Sequence, residues 1–204
     1  MISRRMVIAA ALLAVPAVSS RRVAAAAPST PSEAISTFYD ALLSVMKDGP
    51  KLGFAGRRER LEPAVRRAFD LPLMTRLTVG PQWLNLTATQ QQQLVTAFSA
   101  FSVATYASRF DDYSGERFEV DPHSTPTSEG AIVQSKLVKG DGEAIQLNYL
   151  MREHEGLWQI LDVYLSGTVS ELATRRSEFA SVMRRGGPDA LVELLQQKIV
   201  QLRG

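Results

Sequence analysis

The 204-residue chain contains no cysteine and only two histidines, His123 and His154. Without cysteine it cannot form a disulfide, and it has no thiolate ligand for a metal centre. Neither histidine has a second histidine at the spacing of a metal site, so we expect both in surface turns. The sequence therefore predicts a fold that depends on its hydrophobic core, without a metal or other cofactor.

Several motifs that mark common enzyme and nucleotide sites are also absent. The chain has no G-x-x-x-x-G-K-[ST] or G-x-G-x-x-G loop, no H-E-x-x-H zinc motif and no G-x-S-x-G nucleophile turn. These absences weaken the case for a nucleotide-binding protein, a dehydrogenase, a zinc hydrolase or a serine hydrolase.

Long apolar runs are missing except near the N-terminus, where the run from Val7 to Val18 is too short for a bilayer core of about 30 Å. Arg4 and Arg5 precede it, and Ala24-Ala25-Ala26 follows as a cleavage site. This pattern predicts an export signal over residues 1–27, used by either the Sec or the twin-arginine route, with an uncleaved anchor as the alternative. We expect residues 28–204 to form a single domain in the periplasm.

The chain's small positive charge belongs largely to this segment. The formal net charge of +2 becomes −2 when residues 1–27, with four arginines and no acidic residue, are removed. A domain near neutrality gives no electrostatic reason to expect nucleic acid as a partner. Short basic clusters remain, which we interpret as solvated helix faces, with lipid headgroups or an acidic partner as the alternative: Arg57-Arg58, Arg66-Arg67, Arg175-Arg176 and Arg184-Arg185.

Apolar residues at helical spacing occupy the first half of the domain. One helix follows a capping box at Thr30–Glu33 and stops at Gly49-Pro50, and a second helical region begins near Arg57. A proline break at Leu71-Pro72 precedes a short helix, and a capping box at 87–90 opens a long one. The pattern predicts a helical layer before any strand.

From Glu116 the period changes to two, which is typical of strands. Four strands are predicted, with a hairpin turn at Gly140-Asp141-Gly142 and a second turn at Gly156. A third capping box at 168–171 then opens helices that are separated at Gly186-Gly187. The predicted fold class is α+β, a curved antiparallel sheet of about four strands packed with N- and C-terminal helices, as in NTF2-like cones.

The order and spacing of residues from Trp158 onward, beginning W-Q-I-L-D-V-Y-L-S-G, resemble those of the MlaC family of periplasmic lipid carriers, also called toluene-tolerance proteins. Segments 38–47, 69–83 and 106–118 resemble the hopanoid-associated HpnM branch of that family. The matching positions in the C-terminal part are Trp158, Ile160, Asp162, Val163, Gly167, Ser170, Arg176, Phe179, Gly187 and Leu191.

The resemblance implies a lipid-binding shuttle that carries phospholipid or hopanoid between the inner and outer membranes. It implies an inner-membrane lipid ABC transporter complex and an outer-membrane lipoprotein complex as partners. Family members hold acyl chains between sheet and helices, so it favours a pocket over a filled core for apolar residues of both layers. The candidate pocket residues are Phe69, Leu73, Met74, Trp83, Phe98, Phe101, Tyr106, Leu147, Tyr149, Met151, Trp158, Ile160 and Tyr164.

Asp162 is the sharpest candidate for an enzyme, because it stands between apolar residues where burial would suit it to proton transfer. On that hypothesis the protein is an NTF2-like isomerase or hydrolase. The structural alternative is that Asp162 accepts hydrogen bonds from the backbone, Arg175 or Arg176 and fixes the strand to the next helix. A third possibility is a periplasmic adaptor that binds a protein and transports nothing. Of these, the sequence favours a carrier without catalytic residues.

Overall fold

The computed structural model describes residues 30–203. The predicted signal segment, residues 1–27, lies outside the described residues. The four described α-helices are α1 (Pro31–Ala68), α2 (Leu71–Val79), α3 (Ala88–Arg109) and α4 (Glu171–Gln201), and a 3-10 turn spans Gly80–Asn85.

Two of the three predicted capping boxes are present. Thr30 Oγ1 accepts from the Glu33 amide at 3.2 Å, and the Glu33 carboxylate accepts from the Thr30 amide. Thr87 and Gln90 make the same reciprocal pair at the start of α3. The third prediction was wrong, because Ser170 caps α4. Val169 and Ser170 still pair with Leu165 and Tyr164 in the sheet, so the helix cannot start before residue 171.

The two long helices each contain one break. In α1 the break is at Gly53, with φ of 59°, and in α4 it is at Gly187, with φ of 71°. Both values lie in the left-handed region that glycine adopts at no steric cost. The break in α4 lies where the glycine pair predicted it, whereas helix α1 continues through the predicted stop at Gly49-Pro50.

The described strands are β1 (Arg117–Val120), β2 (Thr125–Thr127), β3 (Gly130–Val138), β4 (Ala144–His154), β5 (Leu157–Leu165) and β6 (Val169–Ser170). They form one antiparallel sheet in the order β1, β3, β4, β5, β6, with β2 beside β1 on the same edge of β3. The predicted α+β class is confirmed, and two short strands, β2 and β6, join the four that the sequence predicted.

The helices cover one face of the sheet. Leu147 pairs with Leu165, and Tyr149 pairs with Val163, so these four side chains share the helix-facing side. A register shift between Leu150 and Met151 adds a residue to β5.

An aromatic cluster joins α1 to α3 beneath this face. The Phe38 ring meets those of Phe69 and Tyr106 edge-on, with centroid distances of 5.3 and 5.2 Å.

In the described part of the chain, no helix is long and apolar enough to cross a membrane.

Candidate functional site

An apolar cavity of about 240 Å³ lies between the sheet and helices α2, α3 and α4. Its sheet side consists of residues on the helix-facing side of β3, β4 and β5: Leu137, Ile145, Leu147, Tyr149, Val163 and Leu165. Its helix side consists of residues from the α1–α2 corner, α2, α3 and the first turns of α4: Phe69, Met74, Phe98, Ser102, Thr105, Tyr106, Arg109, Phe110, Glu171 and Arg175.

The volume lies just below the range of about 300–1,000 Å³ that is usual for small-molecule sites. Two polar side chains of the lining already hydrogen bond within α3, since Ser102 Oγ donates to the Phe98 carbonyl and Thr105 Oγ1 to the Phe101 carbonyl. The cavity can therefore bury an apolar chain with few uncompensated polar groups on its walls.

Three charged residues line the cavity: Arg109 in the last turn of α3, and Glu171 and Arg175 in the first turns of α4. Arg175 Nη2 lies 3.3 Å from a Glu171 carboxylate oxygen, and its side chain is only 17% exposed. The Arg175 guanidinium also lies over the Phe101 ring, 4.7 Å from its centroid.

The electrostatics of these residues are coupled. Burial lowers the pKa of Arg175, the Glu171 carboxylate raises it, and the charge of Arg109 lowers it again. The pKa of the neighbouring Tyr106 is raised by burial above its usual value, and the charges of Arg109, Arg175 and Glu171 also act on it. The four side chains thus form one electrostatic unit, which we call the arginine cluster.

The opposite wall carries a buried hydroxyl network. The Tyr39 hydroxyl lies 2.6 Å from Ser135 Oγ and 3.0 Å from the Tyr149 hydroxyl, and Ser135 Oγ donates to the Leu147 carbonyl. Burial raises the pKa of Tyr39 to about 12 and that of Tyr149 well above 10. Both hydroxyls are therefore neutral at physiological pH and support a strand wall that is otherwise apolar.

The structure brings six of the thirteen candidate pocket residues together around the cavity: Phe69, Met74, Phe98, Tyr106, Leu147 and Tyr149. Leu73 and Trp83 line a separate, open groove, together with Arg66, Arg76, Arg152 and His154. Trp158 lines a third, smaller space against α1.

The other four candidates lie outside these three spaces. Three of them are packed in the core: Met151, Ile160 and Phe101. The Phe101 ring also contacts the guanidinium of Arg175, which does line the cavity. Tyr164 pairs with Asn148 and belongs to the opposite face of the sheet.

Sequence reasoning missed both arginines of the cavity and the strand residues Leu137, Ile145, Val163 and Leu165. The strand residues carried a usable signal, because Ile145 shares the period-two face of Leu147 and Tyr149. For Arg109 and Arg175 there was no such signal. Sequence reasoning places Arg175 in a basic cluster with Arg176 and offers either arginine as a partner of Asp162, but not as a cavity residue.

Asp162 has the structural arrangement that was set against the enzyme hypothesis. Its side chain is buried and accepts from the amides of Val163 at 2.7 Å and Leu172 at 2.9 Å, and from the Ser170 hydroxyl. The donors are backbone amides and a hydroxyl, with no arginine among them. The carboxylate joins β5 to the start of α4 and does not line the cavity.

Neither histidine belongs to a metal site within residues 30–203, where no cluster of three or more histidine, aspartate or glutamate side chains could hold an ion. His123 is exposed in the turn after β1, and its amide donates to Asp121.

A helix-covered antiparallel sheet around an apolar cavity defines the class of small α+β proteins that can bury a hydrophobic ligand. Residues 36–197 match the family model described as MlaC protein, and the chain therefore belongs to the MlaC family. No curated protein is similar enough to the chain to count as a match.

Among solved structures, the fold is similar to that of the phospholipid-binding protein from Ralstonia solanacearum in complex with a phospholipid. The TM-score is 0.70 and the sequence identity is 25%, over 85% of this chain and 99% of the other.

Proposed function

We propose that this protein is a periplasmic lipid carrier that holds the acyl part of an amphiphilic lipid in the cavity between its sheet and α3. The observation that carries the proposal is the apolar cavity itself, because a carrier needs a dry, shaped space. Membership of the MlaC family and similarity to a protein that was solved with a phospholipid support the same function.

The energetics explain why such a carrier is useful. Burying one methylene group stabilises by about 0.8 kcal/mol, so a lipid with roughly twenty methylenes costs on the order of 16 kcal/mol in bare water. A protein that covers part of the chains removes part of this cost without a cofactor. The cargo is phospholipid or, by resemblance to the HpnM branch, hopanoid, and the route runs between the inner and outer membranes.

The cavity volume bears on how loading occurs. A space of about 240 Å³ is smaller than most sites that enclose a drug-sized ligand. A lipid with two acyl chains therefore needs α3 and α4 to move away from the sheet, or leaves part of its chains outside. The helix break at Gly187 is a position at which α4 can change direction.

Co-purification tests the function. Protein isolated from the periplasm without detergent is extracted with organic solvent, and lipids are quantified by mass spectrometry per mole of protein. We expect a stoichiometric lipid. An empty protein that also takes up no lipid from labelled vesicles would favour the adaptor hypothesis. A lipid-free protein with a measurable turnover would favour the enzyme hypothesis instead.

Export and partners belong to the same proposal. After the export signal is cleaved, the first residue of the mature protein should lie within a few residues of Ala27. Amino-terminal sequencing of periplasmic material determines that residue. Intact Met1 in the membrane fraction would contradict a diffusing shuttle. We propose an inner-membrane lipid ABC transporter complex and an outer-membrane lipoprotein complex as the donor and acceptor of the lipid.

A further inference from the structure

Leu84 lies in the 3-10 turn between α2 and α3 and is 77% exposed, the largest fraction among the large apolar residues of the described chain. Trp83 beside it is half-buried and lines two adjoining hollows of the surface. A single exposed leucine is ordinary on a protein surface, so its meaning depends on its surroundings. Here the surroundings are an indole ring, a fixed turn and two free cations.

Hydrogen bonds hold the turn in place. The side-chain amide of Gln91, in the first turn of α3, donates to the carbonyls of Trp83 and Leu86 at 3.1 and 3.4 Å. The Leu86 amide donates to the same Trp83 carbonyl at 3.2 Å, and Pro81 restricts φ near the start of the turn. The backbone that presents Leu84 is therefore ordered before anything binds, which lowers the entropic cost of binding.

Two arginines flank this turn. Arg76 in the last turn of α2 and Arg176 in the second turn of α4 line the same hollow as Trp83 and Leu84. Nε and Nη2 of Arg176 lie 3.7 Å from where a β-carbon at Gly80 would stand, so its guanidinium lies against the start of the turn. Both arginines are exposed, and among residues 30–203 neither has an ion pair or a side-chain hydrogen bond. No acidic residue of the described chain lines this hollow.

The positive charge continues into the neighbouring groove, which Trp83 also lines. Arg66 and Arg152 stand there with one acidic residue, Asp70, whose carboxylate already caps α2. Arg66 is paired with Glu62, whereas Arg152 has no ion pair among the described residues. The surface around Trp83 thus has a positive excess, although residues 28–204 together have a formal net charge of −2.

This combination fits a bilayer surface better than a protein segment. Tryptophan beside an aliphatic side chain is favoured at the boundary between headgroups and acyl chains, and arginines near it attract anionic lipids. A groove for a peptide has its apolar anchor points in concave pockets. Here the most exposed apolar residue, Leu84, projects outward.

We propose that Arg76, Pro81, Trp83, Leu84 and Arg176 form a docking patch for a bilayer that contains anionic lipids. Leu84 and Trp83 enter the headgroup region, and the two guanidinium groups contact lipid phosphates at the bilayer surface.

Docking is separate from cargo binding, because none of the five patch residues lines the cavity. Arg176 follows Arg175, a cavity residue, on the same helix, so a docked protein holds the cavity close to the membrane. The proposal does not rest on lipid carriage, since a protein without cargo could dock in the same way.

Co-sedimentation with two kinds of vesicle tests the docking. One kind contains phosphatidylcholine alone, and the other contains equal amounts of phosphatidylcholine and phosphatidylglycerol. We expect the partition coefficient of the purified protein to be about 10-fold or more higher on the anionic vesicles at low salt, since each arginine near such a surface contributes roughly 5-fold. Added salt should weaken this binding, because it screens the charges.

Variants locate the contact. Arg76→Gln and Arg176→Gln should each lower the partition coefficient on anionic vesicles by about 5-fold and reduce its salt dependence. Leu84→Ser should lower it several-fold with the salt dependence unchanged. Matched controls remove an exposed arginine or an exposed apolar residue elsewhere on α4, as Arg184→Gln and Val200→Ser, and should bind as wild type does. Thermal midpoints establish that each variant is folded.

Fluorescence measures the depth of the turn. The chain has two tryptophans, so Trp158→Phe leaves Trp83 as the only indole emitter. Anionic vesicles with acyl chains brominated near the headgroup should quench this emission, and unbrominated vesicles of the same charge should not. Quenching requires near contact, and Trp83 does not line the cavity, so exchanged cargo does not contribute. Binding without quenching would contradict docking through this turn.

Three other results would overturn the proposal. One is equal binding to neutral and anionic vesicles, and another is an equal loss of binding in the patch variants and the controls. The third is binding to a polyglutamate peptide that depends on Arg76 and Arg176, with no binding to vesicles, which would assign the patch to an acidic protein. Lipid content per mole of protein, measured on the same samples, separates this proposal from carriage. An empty protein that still docks leaves the patch intact while carriage fails, and a loaded protein that does not dock leaves carriage intact while the patch is wrong.

Discussion

The carboxylate of Asp162, near the end of β5, accepts a hydrogen bond at 2.9 Å from the backbone amide of Leu172 in the first turn of α4. The same side chain accepts from the hydroxyl of the helix cap, Ser170. One buried carboxylate therefore sets the direction in which α4 leaves the sheet. Because Glu171 and Arg175 lie in the first turns of this helix, Asp162 also determines where the arginine cluster stands.

Replacing Asp162 by Asn should destabilise the protein without lowering its lipid content. An amide nitrogen cannot accept from Ser170, so we expect a loss of about 1–3 kcal/mol in the free energy of unfolding. Denaturant titration measures the loss, and lipid per folded molecule should stay unchanged. Asp121→Asn, at an exposed turn aspartate, is the control and should change stability by less than about 0.5 kcal/mol. If wild type shows an enzymatic turnover, and the Asp162→Asn variant is fully stable but lacks that turnover, the result would indicate that Asp162 is catalytic.

Removal of the Tyr39 hydroxyl should weaken the strand wall of the cavity. Tyr39→Phe leaves the buried Tyr149 hydroxyl without its partner, and we expect a cost of about 1–3 kcal/mol. Tyr113→Phe, at an exposed ring, should leave the thermal midpoint unchanged. Equal midpoints for Tyr39→Phe and wild type would show that the network contributes nothing to stability.

The same network should make the fold sensitive to alkali. Burial raises the pKa of Tyr39 from 10.0 to about 12, so above pH 10 the unfolded chain releases this proton while the folded protein keeps it. The stabilisation present below pH 10 is thus lost between pH 10 and about 12, by about 1.4 kcal/mol per pH unit for Tyr39 alone. Stability measured across this range should fall less steeply in Tyr39→Phe. Parallel curves for the two proteins would rule out this linkage.

Gly49 should tolerate no side chain. The residue is buried, and a β-carbon there would collide with the backbone carbonyl of Asp111, just after α3. Gly49→Ala should therefore destabilise by about 1–3 kcal/mol as the two segments separate. In Gly56→Ala the added methyl meets only the Leu52 side chain, so the calorimetric midpoint should change less. A larger effect at Gly56 would refute this packing argument.

Much of the fold could be predicted from local pattern. The capping boxes at Thr30 and Thr87 and the break at Gly187 depend on residues a few positions apart, and the sequence contains all of them. Gly49 shows the limit of such reasoning. Gly49 allows close packing against Asp111 and does not end the helix. The neighbouring sequence does not distinguish a glycine needed for close packing from one that ends a helix.

The cavity could be predicted in part, for two physical reasons. Period-two alternation places Leu147 and Tyr149 on one face, but the extra residue in β5 puts Ile160 on the same side as Val163 and leaves Tyr164 on the other. Alternation alone cannot reveal such a bulge. Arg109 and Arg175 come together only because α3 packs on α4, so their pairing is a tertiary feature that no local spacing encodes.

The central claim is that the space beside Leu147 is a lipid pocket and not an imperfectly filled core. Leu147→Trp adds bulk to the cavity wall without charge. Leu150→Trp is the matched control, since Leu150 is similarly buried on the same strand but does not line the cavity.

The decisive measurement is lipid content per folded molecule, together with the thermal midpoint, for wild type and both variants. We predict that Leu147→Trp stays folded with reduced lipid. Leu150→Trp should overpack, lose about 1–3 kcal/mol of stability and keep its lipid content per folded molecule. A large loss of stability in Leu147→Trp with lipid content intact would contradict the account.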